Sequence, residues 1–108
     1  SVLRMPEYRF TREARDDLQS IIDYTQERWG KEQAHKYVDG LEELAAHLAE
    51  KPSLGVIRDT LISSLISFPY VSHVLYYVPQ DHGITIIRVL HKSMDAPRHF
   101  EGTESLKK

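Results

Sequence analysis

The sequence predicts an α+β domain: a helical hairpin packed on one face of a small antiparallel sheet, in the order β-α-α-β-β-β. Three observations predict it. Two long stretches place apolar residues at spacings of three and four, the period of an amphipathic helix, with Gly30 between them. Two later runs, residues 72–78 and 84–91, are rich in β-branched and aromatic side chains and are joined by Pro79-Gln80-Asp81-His82-Gly83. A chain of 108 residues with 41% hydrophobic and 28% charged residues suits one globular domain.

Residues 7–10 form a short strand candidate, with Tyr8 and Phe10 at alternate positions. Thr11 can cap the helix that follows, and Glu13, Asp16 and Asp17 set negative charge at its N-terminal end, where the helix dipole favours it. Ala14, Leu18, Ile21, Ile22, Thr25 and Trp29 share one face of this first helix, predicted over 12–29, and Gly30 stops it. Trp29 is expected to pin the hairpin's turn to the sheet. Ala34, Tyr37, Val38, Leu41, Leu44, Ala45 and Leu48 repeat the pattern in a second helix, which Pro52 ends. Each helix has a single apolar stripe, so the pair needs another layer to cover it.

That layer lies in the second half. Pro52-Ser53-Leu54-Gly55 is a turn, residues 56–64 carry no clear signal, and strands are expected over 65–69, 72–78 and 84–91. Strands joined as hairpins pair antiparallel. The domain spans 6–100, with a flexible N-terminus at 1–5 and a flexible polar tail at 101–108.

Strict alternation in the last strand puts Ile84, Ile86, Arg88 and Leu90 on one face and Thr85, Ile87, Val89 and His91 on the other. Arg88 therefore interrupts an apolar face. It either faces solvent, pairs with a nearby carboxylate, or stands on an open face of the sheet to meet a partner. Tyr77 shares parity with His73 and Leu75, and Tyr76 with Val74 and Val78, so one of the two tyrosines should face outward or against a partner. In the C-terminal stretch, Asp95 or Ser93 can cap a short turn containing Pro97. Phe100 then either stands exposed near Lys92 and Arg98 or folds back onto the sheet.

Composition excludes several classes. A net charge of −2 provides no overall basic field for coating nucleic acid. The absence of cysteine rules out disulfides and thiolate metal sites and fits a reducing cytoplasm. No apolar run approaches the ~20 residues that a membrane helix needs. His73, His91 and His99 lack a carboxylate placed to complete a metal ligand set, so neither a metal nor a cofactor is expected.

Five stretches resemble ParE-type toxins of the RelE/ParE toxin–antitoxin superfamily. They are Tyr8-Arg9-Phe10-Thr11 with Ala14 and Asp17-Leu18; Tyr24-Thr25 with Arg28-Trp29-Gly30; Gln33-Ala34 with Tyr37; Ser72-His73-Val74-Leu75-Tyr76-Tyr77; and Ile87-Arg88-Val89-Leu90-His91 with Met94-Asp95. A sixth, weaker one is Leu48-Ala49-Glu50-Lys51-Pro52 with Leu54-Gly55. They fall in family order over roughly residues 6–100.

The resemblance implies the same β-α-α-β-β-β fold and a non-enzymatic toxin that inhibits DNA gyrase. It also implies a ParD-like antitoxin that folds onto the toxin, a hetero-oligomer, and DNA contacted through the antitoxin. On this expectation Arg88, Lys92, Arg98, His99 and Phe100 are candidates for the gyrase surface. Leu18, Ile22, Trp29, Tyr37, Leu41 and Tyr76 are candidates for the antitoxin surface. The chain departs from the family at Ser64-Leu65-Ile66-Ser67, with Ile66 where an arginine is common and Ser64 where a glycine is common. In the related RelE branch an arginine near this place contributes to RNA cleavage. The alternatives are a ribosome-dependent mRNA endonuclease built on Arg88, His91 and Lys92, and an attenuated toxin that only binds antitoxin.

Overall fold

Thr11 joins the two halves of the fold. Its hydroxyl oxygen accepts from the Ala14 N–H at 3.1 Å, capping a helix, and the same hydroxyl donates to the Ile87 carbonyl at 2.8 Å, tying that helix to the last strand. The computed structural model describes residues 5–100; the expectations for 1–4 and 101–108 lie outside the described residues. The elements are β1 (Glu7–Phe10), α1 (Arg12–Trp29), α2 (Lys31–Glu50), a 3-10 turn (Pro52–Leu54), β2 (Val56–Ile57), β3 (Ile66–Tyr70), β4 (His73–Gln80), β5 (Gly83–His91) and α3 (Ala96–His99). The sheet runs in the order β1-β5-β4-β3-β2, with β1 parallel to β5 and every other neighbour antiparallel.

Gly30, with φ 96°, lets two helices totalling 38 residues (18 and 20) reverse direction across one residue. Their apolar stripes close over the sheet. Leu41, Ala45 and Leu48 from α2 and Ala14 and Ile21 from α1 pack on Leu75, Tyr77, Ile84, Ile86 and Val89. A clamp between α2 and β3 reinforces this: the Tyr70 hydroxyl donates to the Tyr37 carbonyl at 2.7 Å, with the two rings edge to face at 5.0 Å. Gly40 makes the approach possible, because any Cβ there would collide with the Tyr70 hydroxyl.

The opposite face is also covered. Ile62 and Leu65 from the β2–β3 loop, together with Phe100, pack over Tyr76, Ile87 and Leu90. Tyr76 and Tyr77 are therefore both buried, one in each core, and neither faces outward. β5 carries a bulge: Tyr77 pairs with Ile86 and Tyr76 with Arg88, so Ile87 and Arg88 both oppose Tyr76. This breaks the strict alternation expected from the sequence. Ile84, Ile86 and Val89 face the helices, whereas Ile87 and Leu90 face away.

Candidate functional site

Beyond Phe10, β1 no longer covers β5, and α1 takes over that edge. Asp17, one turn into the helix, receives the Val89 N–H at 2.9 Å where a further strand would have bonded. Its carboxylate also takes both arms of Arg88: Nε donates to Oδ2 at 2.7 Å and Nη2 to Oδ1 at 2.8 Å. Hydrogen bonding to Asp17 holds the guanidinium above its usual value, against partial burial, and the charges of Asp17 and Glu13 act in the same sense. Nη1 of Arg88 lies 3.5 Å from the His99 carbonyl and can donate to it. Arg88 thus links α1, β5 and α3, and of the roles left open by the sequence the structure shows the carboxylate pair.

A second polar group occupies the end of the sheet nearest the β3–β4 turn. The Tyr37 hydroxyl lies 2.7 Å from His73 Nδ1, and the Ser72 N–H donates to the same hydroxyl at 3.3 Å. Burial, reinforced by His91, lowers the His73 pKa, with Asp17 opposing; burial raises that of Tyr37. Both shifts favour neutral groups; the phenol also lies 3.4 Å from the Tyr70 carbonyl, to which it can donate, so the direction of its bond to the imidazole follows the histidine tautomer. His91 stacks edge to face on His73 at 5.3 Å, and its Nδ1 accepts from the Ser93 N–H at 3.1 Å. His99 Nδ1 donates to the Asp95 carbonyl at 2.9 Å. Among the described residues no group of three or more His, Cys, Asp or Glu could hold a metal ion.

The sequence-derived gyrase candidates separate. Lys92 and Arg98 are exposed, His99 is half-buried and Arg88 is committed to Asp17. Phe100 is buried edge to face on Tyr76 at 5.0 Å, because α3 turns the chain back over the sheet; it offers no exposed aromatic. Of the antitoxin candidates, Leu18, Ile22 and Tyr37 are half-buried, while Leu41 and Tyr76 sit inside the two cores and present no surface. Trp29 does not pin the hairpin to the sheet: it is 70% exposed. Tyr37 already meets the turn at the sheet's end, so the first turns of α2 and the tip beside Trp29 extend past it.

Ile66 packs on the helix side of β3 and pairs with Tyr77, so an arginine there would not share a surface with Arg88. The guanidinium on the other side comes from Arg58, whose Nε donates to the Ser67 hydroxyl at 3.0 Å. Neither Arg58 nor the role of Asp17 emerged from the sequence alone. Asp17 did carry a signal, since it stands in one of the quoted motifs, but as an ordinary helix-start charge it pointed to no partner.

A helical hairpin clamped on one face of a mostly antiparallel five-stranded sheet defines an α+β class. A solved structure described as the chromosomal ParDE TA system from P. aeruginosa superposes with a TM-score of 0.68 at 22% identity, over 81% of this chain and 96% of that one. Sequence narrows the class: residues 8–96 match the family model for the ParE toxin of the type II toxin–antitoxin system parDE, and the chain belongs to that family. It is similar to Toxin ParE1 of Caulobacter vibrioides, 38% identical over 89% of this chain and 99% of the relative. Toxin ParE1 of Mycobacterium tuberculosis is 33% identical over 81% and 90%, and Toxin ParE of Escherichia coli 30% over 84% and 89%.

Proposed function

We propose that this ParE-family toxin arrests growth by inhibiting DNA gyrase without catalysing a reaction, and that a ParD-like antitoxin neutralises it in the cytoplasm. The observation that carries the reading is the family match across residues 8–96. The non-catalytic part is supported by the commitment of Arg88. An endonuclease needs a group to take the ribose proton and a cation to stabilise the phosphorane, converging on one phosphate. Here two guanidinium nitrogens are bound to Asp17, and His91 turns to stack on His73. The antitoxin would cover the half-buried apolar residues Leu18 and Ile22 together with Trp29, fold as it binds, and contact operator DNA itself within a hetero-oligomer.

The test is a gyrase supercoiling assay beside a translating-ribosome assay. Purified chain is expected to block supercoiling and to leave messenger RNA intact. Supercoiling that proceeds with folded chain in large excess over gyrase overturns the gyrase assignment, and Arg88-dependent messenger RNA fragments would establish the endonuclease instead.

A further inference from the structure

The two edges of the sheet are treated differently. On the β5 side, Thr11 and Asp17 occupy the backbone groups that β1 leaves uncovered: the Ile86 and Ile87 carbonyls accept from the Thr11 N–H and hydroxyl, and the Val89 N–H donates to Asp17. That stretch of β5 is closed to a further strand, and β1, the outermost strand on this side, carries the exposed charges Glu7 and Arg9. On the opposite side β2 is the outermost strand. The Arg58 N–H donates to the Leu65 carbonyl at 2.7 Å, which makes Ile57 and Ile66 a non-hydrogen-bonded pair. The N–H and C=O of Ile57 consequently point away from β3, and no described residue bonds to them. The usual protections are missing here: β2 has no lysine, proline or inward charge, and Val56 and Ile57 are 61% and 69% exposed.

From this edge we infer that β2 receives an extended segment of a partner protein as a sixth strand; taking that partner to be the antitoxin rests on the function proposed above. Adjacent strand residues point to opposite faces. An element lying on one face would cover Val56 or Ile57 but not both, whereas a strand in the plane of the sheet covers both and bonds the outward Ile57 groups. A second copy of this chain is a poor occupant. Two residues paired across a twofold axis bury far less than the roughly 1,000 Å² that a specific interface needs. A longer partner segment can run past β2 along Leu54, itself 48% exposed. It needs an extended backbone and apolar, β-branched side chains on both sides.

The experiment is amide hydrogen exchange on the whole chain, alone and with a purified ParD-like antitoxin, together with binding measurements on Ile57→Pro. Proline at 57 removes only the outward N–H and is compatible with an edge strand, and an unchanged circular dichroism spectrum and melting temperature verify that the variant folds. Expected are fast exchange at Ile57 in the free chain, slowing by about a hundredfold in the complex, and an affinity loss of about tenfold or more in Ile57→Pro. A tight complex in which Ile57 exchanges as fast as in the free chain overturns the edge assignment and leaves the antitoxin reading standing. Failure of the unaltered chain to form any complex overturns both. Concentration-dependent protection of Ile57 without partner overturns the proposal in favour of a second copy. Where Ile57→Pro does not fold, exchange in the unaltered chain decides.

Discussion

Asp17 carries more of this structure than its sequence context suggests, since one carboxylate satisfies Arg88 and the Val89 N–H together. Asp17→Ala would leave a guanidinium without its counter-charge and a strand amide without an acceptor. Because both side chains are largely buried, at 21% and 14% exposed, the cost is expected to be about 3 kcal/mol, read from the urea midpoint. A loss under about 0.5 kcal/mol would mean that solvent replaces the pair. His73 makes stability depend on pH. Burial and His91 hold its folded pKa below the usual 6.5, so as pH falls past that value the unfolded chain takes up a proton before the folded one does. Stability is therefore full above about pH 6.5, falls as pH drops below it, and levels off below the folded pKa. His73→Asn, whose amide can still hydrogen-bond with the Tyr37 hydroxyl, is expected to flatten that slope in melts between pH 7 and 5; an unchanged slope would assign it to other groups. At this scale the sequence was only partly legible. Arg88 stood out as a charge in an apolar strand, but its partner lies 71 positions away, and the bulge that redirects it depends on cross-strand register.

The β3–β4 hairpin turns through Val71 and Ser72 with Val71 at φ 52°, a left-handed conformation that a β-branched residue adopts at a cost. Its side chain is exposed and loses little on removal. Val71→Gly is expected to raise stability by roughly 0.5–1 kcal/mol, the relief of strain less the added freedom of the unfolded chain; a lower melting temperature would count against strain here. Gly40 runs the other way. Helix propensity alone favours alanine by about 1 kcal/mol, yet a Cβ at this point of α2 meets the Tyr70 hydroxyl. Gly40→Ala should destabilise by about 1–3 kcal/mol, and adding Tyr70→Phe should recover part of the loss; additive effects would refute the clash. Both helices and the three long strands were legible because each carries its own period over eighteen, twenty, five, eight or nine residues. β2 was not, since two residues carry no period. Nor was the parallel pairing of β1 with β5, which closes the sheet across the whole chain.

For the molecule as a whole, covering both faces of the sheet changes where a partner can act. With Phe100 folded over Tyr76, the exposed cations between β5 and Phe100, among the described residues, are Lys92 and Arg98, while the bare edge at β2 lies three strands from β5, about 14 Å across the sheet. A toxin must meet its target and its antidote, and this geometry lets the two contacts fall on different surfaces. Lys92→Glu combined with Arg98→Glu replaces two exposed cations without touching either core, so its melting temperature should shift by no more than the few degrees that ~0.5 kcal/mol produces. Gyrase inhibition by the double variant is expected to fall at least about tenfold, since reversing two cations at an interface disfavours both encounter and complex. Binding to the antitoxin should be unchanged, whereas Ile57→Pro should show the opposite pattern. The decisive measurement is a supercoiling assay and an antitoxin titration on both variants. If each variant loses both activities in parallel, target and antidote share one surface, and neutralisation works by direct competition for it.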